Sequence, residues 1–362
     1  MKKLRARRRK CKNSSDGLES LSYQTKSETA QPDAAGKIRD GGSFRAGLYS
    51  HSAPASELNP EVSIIIPTYN RRPMLREALG TVIAQRGVAW ELIIVDDGST
   101  DGTAEALGCG EMAPLVSSAP SSCRIIVEHT PHRGVAAARN RGAELACAEY
   151  LAFLDSDDLW DPRKLARQLA WMRAHPEYPL VQTQELWIRN GRRVNPGRRH
   201  LKCAGDIFEP SLHLCLISCS AVMMTSALFQ ESGGFDERMA ACEDYDLWLR
   251  ILSRHPAGLL DEPLVTRRGG HPDQLSARPA LDRFRIRALL KLLAAGDLNE
   301  RRQKEVATVL AHKCAIYANG LKRRGRLVEL SLCTEIGDGA RSWLSDPSPT
   351  CFWHRALDRW SI

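Results

Sequence analysis

The sequence predicts an α/β fold: a mostly parallel sheet flanked by helices, with a helical extension at the C-terminal end. Three observations predict it. Short β-branched runs at 62–66 (VSIII), 91–95 (ELIIV), 124–127 (RIIV) and 150–154 (YLAFL) alternate with helical stretches. Those runs are apolar on successive residues, as strands covered on both faces are. The composition is that of a globular chain, with 43% of 362 residues hydrophobic and 26% charged. Collagen-like and wholly disordered classes are thereby excluded.

Residues 1–60 are rich in Ser, Gly, Ala, Arg and Lys without an apolar period, and read as a disordered basic arm. They hold 12 Lys/Arg against 6 Asp/Glu, leaving 39 against 37 in the rest of the chain. The net charge of +8 is therefore mostly the arm's, and specific nucleic-acid binding by the folded part is not expected. The arm is expected to be a solvated tail. Its other reading is an electrostatic tether giving peripheral contact with an anionic membrane at its inner face. Eight of the first twelve residues are basic, but no apolar stretch follows to make a secretory leader.

Order is expected to start at Val62. Arg72-Pro73 opens a helix whose Leu75, Ala78, Leu79, Val82 and Ile83 form one apolar stripe. The alanine-rich stretch 134–146 is a second helix between the third and fourth strands. Asp161-Pro162 reads as an N-cap with Pro at the first helical position, and Leu165, Leu169 and Met172 follow on one face. Residues 180–188 read as a strand and Asn190-Gly191 as a tight turn. Residues 212–229 carry no formal charge, but their serines, threonine and histidine favour a buried strand followed by a helix over a membrane span. Residues 281–330 read as helical. The 11 cysteines are odd in number and scattered without a CxxC, which predicts free thiols of a reducing, cytoplasmic compartment.

In a parallel sheet with right-handed crossovers, ligands bind at the strand C-terminal edge. Polar clusters fall there after three of the four strands. After the fourth come Asp155, Ser156, Asp157 and Asp158. Three carboxylates within four residues repel, and an extended Asp-x-Asp aims two of them in one direction. Mn²⁺ or Mg²⁺ resolves that conflict, with helix capping as the alternative. After the second strand come Asp96 and Asp97, suited to a nucleobase or ribose edge or to a turn. After the first come Pro67, Tyr69 and Asn70, where Tyr69 could stack on a base or pack over the strand end. Glu243 and Asp244 start a helix carrying Leu247, Trp248, Ile251 and Leu252. They read as a general base at a cleft or as simple N-capping. His271 reads as a metal or diphosphate ligand or as a surface-loop histidine. Arg189, Arg192, Arg193, Arg198, Arg199 and Lys202 read as a solvated basic loop, or as a seat for an anionic acceptor.

The segments 65–70 (IIPTYN), 95–101 (VDDGSTD), 139–142 (RNRG), 153–160 (FLDSDDLW), 233–236 (GGFD) and Glu243-Asp244, in that order, resemble the family 2 glycosyltransferases with the Rossmann-like GT-A fold. The resemblance covers roughly residues 61–276. It implies a domain at 61–280, with a nucleotide-binding half (61–160) and an acceptor half (161–280). Residues 281–362 form a mainly helical extension without a family role. It also implies inverting transfer of a sugar from a nucleotide donor, most simply a UDP-sugar, to a glycan or lipid-linked acceptor. By similarity, Pro67 and Tyr69 line the base pocket, Asp97 binds the base edge with Asp96 in support, and Asn140 sits beside the nucleotide. Asn70 and Ser156 are counted with the nucleotide-binding set. Asp157 is the direct metal ligand, Asp155 reaches ribose or metal, and Asp244 is the general base ahead of Glu243. A catalytically inactive nucleotide-sugar-binding scaffold is the alternative, disfavoured by the intact acidic set. A receiver-like phosphoacceptor domain would leave Glu243-Asp244 unexplained.

Overall fold

A computed structural model describes residues 59–362 except 121–122, 272–273, 275–278, 348–350 and 361–362. The readings placed on the basic arm lie outside the described residues. β1 (Val62–Thr68) is buried along its length. α1 (Arg72–Ile83) begins with Pro73 in its first turn, where a missing N–H leaves no helical bond unmade. It buries Leu75, Ala78, Leu79 and Val82 and leads to the equally buried β2 (Trp90–Asp96). Two short helices, α2 (Thr103–Gly108) and α3 (Ala113–Ser117), precede β3 (Arg124–His129). α4 (Val135–Leu145) then crosses back to β4 (Tyr150–Phe153).

The second half begins with β5 (Leu159–Trp160) and α5 (Lys164–Ala174). Here the expectation for Asp161 needs correction. Its carboxylate accepts from the Arg163 N–H at 2.9 Å, but the helix starts only at Lys164. The Asp161 N–H donates to the Leu264 carbonyl at 2.9 Å, so that residue is still tied to the sheet. β6 (Leu180–Arg189) turns through Asn190 and Gly191, both left-handed at φ 49° and 72°, into β7 (Arg192–Val194). Asn and Gly are the residues that tolerate this turn. α6 (Phe208–His213), β8 (Val222–Thr225) and α7 (Ser226–Glu231) resolve the uncharged stretch into a buried strand followed by a helix. No helix among the described residues is long and apolar enough to cross a membrane. α8 (Glu243–Leu252) and β9 (Gly258–Gly269) follow. The helical stretch expected over 281–330 runs further, as α9 (Leu281–Ala295), α10 (Glu300–Arg323), α11 (Leu327–Ser345) and α12 (Cys351–Arg359).

The nine strands of the described residues form one sheet, in the order β3-β2-β1-β4-β8-β6-β9-β5, with β7 beside β6. β3, β2, β1 and β4 are parallel. β8 is antiparallel to both β4 and β6, β6 and β9 are parallel, and β5 is antiparallel to β9. Period-two alternation sorts the core. Ile65, Ile93, Val95, Leu151 and Phe153 face one side, with α8 and the C-terminal helices. Ile64, Ile66, Leu92, Ile94 and Ala152 face the other, with α1. Thr68 lies opposite Asp96 and Asp96 opposite His129, which brings the ends of β1, β2 and β3 to one edge.

α4 lies directly on β1 at Gly142. A Cβ there would stand 2.4 Å from Ile65 Cγ2. Gly142→Ala is therefore expected to lower stability by about 1–3 kcal/mol through overpacking, despite the better helix propensity of Ala. Denaturant unfolding checks it, and a gain in stability would contradict the close α4–β1 contact.

Candidate active site

The turn after β2 is held by its own acids. Asp96 accepts from the Ser99 N–H at 3.1 Å and faces His129 Nδ1 at 3.1 Å. That hydrogen bond raises the His129 pKa against the opposing effect of burial. The two oxygens of Asp97 accept from the Arg133 and Gly134 N–H groups, both at 2.8 Å. Gly134 precedes α4, so Asp97 satisfies main-chain donors at the start of that helix. Asn70, left-handed at φ 51°, accepts from the Thr100 N–H at 2.7 Å and donates its own N–H to Ser99 Oγ. Pro67 is buried opposite Val95. Tyr69 is 41% exposed and stacks on His132 with ring centroids 4.0 Å apart.

β4 delivers the acidic cluster to the same edge. Asp155, Asp157 and Asp158 each place a carboxylate oxygen within 4.8 Å of the others. Asp155 accepts from Arg139 Nη2 at 2.6 Å, and its own N–H donates to Ser220 Oγ. Asp157 pairs with Arg71 and lies 3.0 Å from His271 Nε2. Asp158 is buried and accepts from the Arg268 N–H at 2.9 Å. Burial, then the Asp157 and Asp155 charges, push the Asp158 carboxyl well above the usual range. Ser156 is buried between them. The donor set is all hard oxygen, which suits Mg²⁺ or Mn²⁺. Arg71 and Arg139 place positive charge at the same carboxylates.

Arg139 joins this cluster to the start of α8. It is 4% exposed, with Nη1 on Glu243 and Nη2 on Asp155, both at 2.6 Å, and its guanidinium lies 5.2 Å from the Phe235 ring centroid. Burial raises the Glu243 carboxyl above its ordinary value, although Arg139 pulls it back. Glu243 is thus committed to an ion pair. Asp244 is half-buried and accepts from the Tyr245 N–H at 2.7 Å and from Cys215 Sγ at 3.5 Å, and no cation contacts it among the described residues. The helix enters this pair through Cys242, left-handed at φ 59°, a conformation a non-glycine residue rarely adopts. Asn140 clasps Phe235. Its amide accepts from the Phe235 N–H and donates to the Phe235 carbonyl, both at 2.9 Å. A Cβ on Gly234 would come within 2.8 Å of Asn140 Oδ1, so glycine is needed for this clasp.

On the β6–β9 side stands a second buried ion pair. Glu185 and Lys202 lie 3.2 Å apart with side chains 2% and 6% exposed. The solvated reading of the basic loop therefore fails at Lys202, which the buried carboxylate draws inward. Burial pushes the Glu185 carboxyl up, but Lys202, Arg267 and Ser218 outweigh it and hold it at about 2.

Of the residues expected at the site, Asp155, Asp157, Asp96, Asp97 and Tyr69 stand at or just after the strand ends, His271 stands beside Asp157, and Glu243 adjoins Asp244 at the start of α8. Arg139, Arg71 and Ser220 carry no expected role. A signal existed for Arg139: Ala136, Arg139 and Gly142 share the buried face of α4. A lone charge on such a face must find a partner.

Residues 63–230 match the family model described as glycosyl transferase family 2. The Bacillus subtilis glycosyltransferase TuaG, named for teichuronic acid biosynthesis, is 42% identical over 198 residues, which cover 54% of this chain and 73% of TuaG. The chain belongs to glycosyltransferase family 2. An uncharacterised glycosyltransferase of Rickettsia felis is 35% identical over 210 residues, covering 56% of this chain and 32% of that one. This chain spans about a third of the length of that relative and of two further Rickettsia relatives. The structure of S. aureus TarS 1–349 in complex with UDP-GlcNAc superposes with a TM-score of 0.60 at 19% identity, over 83% of this chain and 89% of that one. The fold is GT-A.

Two outcomes follow from the buried pairs. Arg139→Met strands Glu243 and is expected to cost about 3–5 kcal/mol, most of it recovered in the Arg139→Met/Glu243→Met double variant. Denaturant unfolding of both variants checks this, and a loss below about 1 kcal/mol for the single variant would refute the pairing. The Glu185 carboxyl is lower in the folded chain than its ordinary value, so its stabilisation is complete above pH 4.5 and lost as pH falls toward about 2. Wild type should exceed Glu185→Gln by about 3 kcal/mol at neutral pH, with the difference vanishing near the folded value. Unfolding titrations across that window read it directly, and a pH-independent difference would contradict it.

Proposed function

We propose that the chain catalyses inverting transfer of a sugar from a nucleotide-sugar donor to a hydroxyl of a glycan or lipid-linked acceptor. One observation carries this reading: the Arg139 guanidinium holds Asp155 and Glu243 at its two ends. The acidic cluster after β4 and the helix start bearing Asp244 therefore line one crevice. The UDP-GlcNAc held by TarS supports a UDP-sugar as donor.

Each residue then has a task. Tyr69 offers its exposed face to the base, and Pro67 lines the floor beside it. Asp96, Asn70 and Ser99 hold the turn that carries Asp97. Asp97 Oδ1 retains a lone pair for the base edge beyond the Arg133 N–H it already accepts, whereas Oδ2 takes the Gly134 N–H and lies 2.9 Å from His132 Nδ1. Asn140 acts by keeping Phe235 beneath Arg139. Asp155 and Asp157, with His271 beside them, would hold a hard divalent cation, Mn²⁺ or Mg²⁺, whose charge stabilises the departing diphosphate.

Asp244 is the proton acceptor. Glu243 is engaged by Arg139, whereas Asp244, in the first turn of α8, has no cation on it among the described residues. It takes the proton of the acceptor hydroxyl as that oxygen bonds to the anomeric carbon. The bond from that carbon to the phosphate oxygen breaks in the same step, and its electron pair leaves with the diphosphate. A single displacement inverts the anomeric centre.

Asp157→Ala is expected to abolish the gain in UDP affinity produced by Mn²⁺. Asp244→Ala should keep UDP binding and lose on the order of 10²–10⁴ in metal-dependent release of UDP from UDP-sugars, the range for a general base. Calorimetry and a coupled UDP assay check the two. Tight UDP binding by wild type without any turnover, across a broad acceptor panel, would favour the inactive scaffold instead.

A further inference from the structure

Among the described residues Arg267 has no acidic partner, and Asp244 is one of the charges that act on it. Arg267 on β9 lies opposite Trp187 on β6, with its guanidinium 5.4 Å from the indole ring centroid. Among the described residues it makes no side-chain hydrogen bond and no ion pair. The neighbouring Arg268 is engaged, with Nε on the Asp157 carbonyl and Nη1 on Glu77, although its Nη2 finds no partner. Glu185 is the acid nearest in the sheet, but it is not available. One of its oxygens takes Ser218 Oγ and Lys202, and the other accepts from Trp187 Nε1 at 2.9 Å. Four carboxylates, Glu185, Asp158, Asp155 and Asp244, keep Arg267 charged against the effect of burial without touching it.

Arg267 is half-buried, and a partly desolvated guanidinium without a protein acceptor gains when a planar oxyanion fills its fork. The indole fixes the plane of that fork. Positive charge also continues outward from it. His200 stands edge-on to Trp187 at 5.2 Å, and Arg199 Nε lies 3.2 Å from His200. Arg198 and Arg199, with Arg189, Arg192 and Arg193 on the β6–β7 hairpin, are exposed, and none has an acidic partner among the described residues. The track from Arg267 to the hairpin is thus an uncompensated basic path beginning beside the proposed base.

We propose that this path is the acceptor subsite and that the acceptor is anionic, a glycan bearing a phosphate or carboxylate that Arg267 grips while its hydroxyl stands at Asp244. The proposal rests on the glycosyltransferase reading of the site. It differs from that reading in assigning a charge class to the acceptor and a residue to recognise it.

The full chain, saturated with UDP and Mn²⁺ so that the donor position is filled, is titrated with glucose 6-phosphate, glucuronate and glucose by tryptophan fluorescence at low and high salt. We expect one or both anions to bind, more weakly at high salt, and glucose not to bind. Which anion binds separates phosphate from carboxylate. Arg267→Gln should weaken anion binding by about tenfold or more while UDP affinity stays within about twofold. Arg267→Lys, which keeps charge and bulk but loses the fork, should fall between. Thermal midpoints of both variants show that they are folded. Equal anion binding by wild type and Arg267→Gln, or no anion binding by wild type, overturns the proposal. So does a loss of UDP affinity in Arg267→Gln matching the loss of anion affinity, which would assign Arg267 to the donor diphosphate. If UDP fails to bind wild type, the glycosyltransferase reading fails by itself, and the same anion titration without UDP still decides whether Arg267 is an anion site.

Discussion

The architecture of the crevice depends on a buried guanidinium. Arg139 enters from α4, reaches Asp155 beyond the end of β4 with one nitrogen and Glu243 at the start of α8 with the other, and rests on Phe235. Removing such a group from water is unfavourable unless every face is answered. Here two carboxylates and an aromatic ring answer it, and the remaining Nε finds no partner. The arrangement ties three segments far apart in sequence to one point. It also decides between the two acids of α8, because a Glu243 locked in an ion pair leaves Asp244 as the carboxylate without a cation.

The same reasoning extends over the whole edge. Burial, and then the neighbouring Asp157 and Asp155 charges, drive Asp158 toward its neutral form. The protein meets the remaining charge with Arg71 and His271 at Asp157 and with Arg139 at Asp155. These are also the carboxylates that would take a divalent ion, so Arg71 and such an ion would compete for Asp157. On the opposite wall the Glu185–Lys202 pair neutralises itself, which is why Arg267 is left with charge to offer.

Much of this was legible in the sequence because its physical causes are local. β1, β2 and β4 are apolar on both faces and could be read as buried parallel strands. The glycine and asparagine of the β6–β7 turn, the acidic run after β4 and the acidic pair opening α8 are local patterns too. What escaped depends on distant partners. β9 mixes Asp, Glu, Pro and Arg with its apolar residues, and its pairing with β6 slips near Gln184, so no period-two signal survives. Asp161 resembles a helix cap until its main-chain bond to Leu264 in β9 is known. Lys202 belongs to a basic run and is nevertheless buried, because Glu185 lies on another strand. The isolation of Arg267 is a property of what Glu185 does elsewhere, and no reading of residues near position 267 contains it.

The carboxylates after β4 are proposed to form a cation-dependent nucleotide site. Anomalous diffraction from crystals soaked with Mn²⁺ and UDP can locate the ion. A peak is expected at Asp155 and Asp157, with Arg71 released from Asp157 and Arg139 still on Glu243. A crystal with UDP bound, no peak at that position and Asp157 still paired with Arg71 and His271 would contradict it.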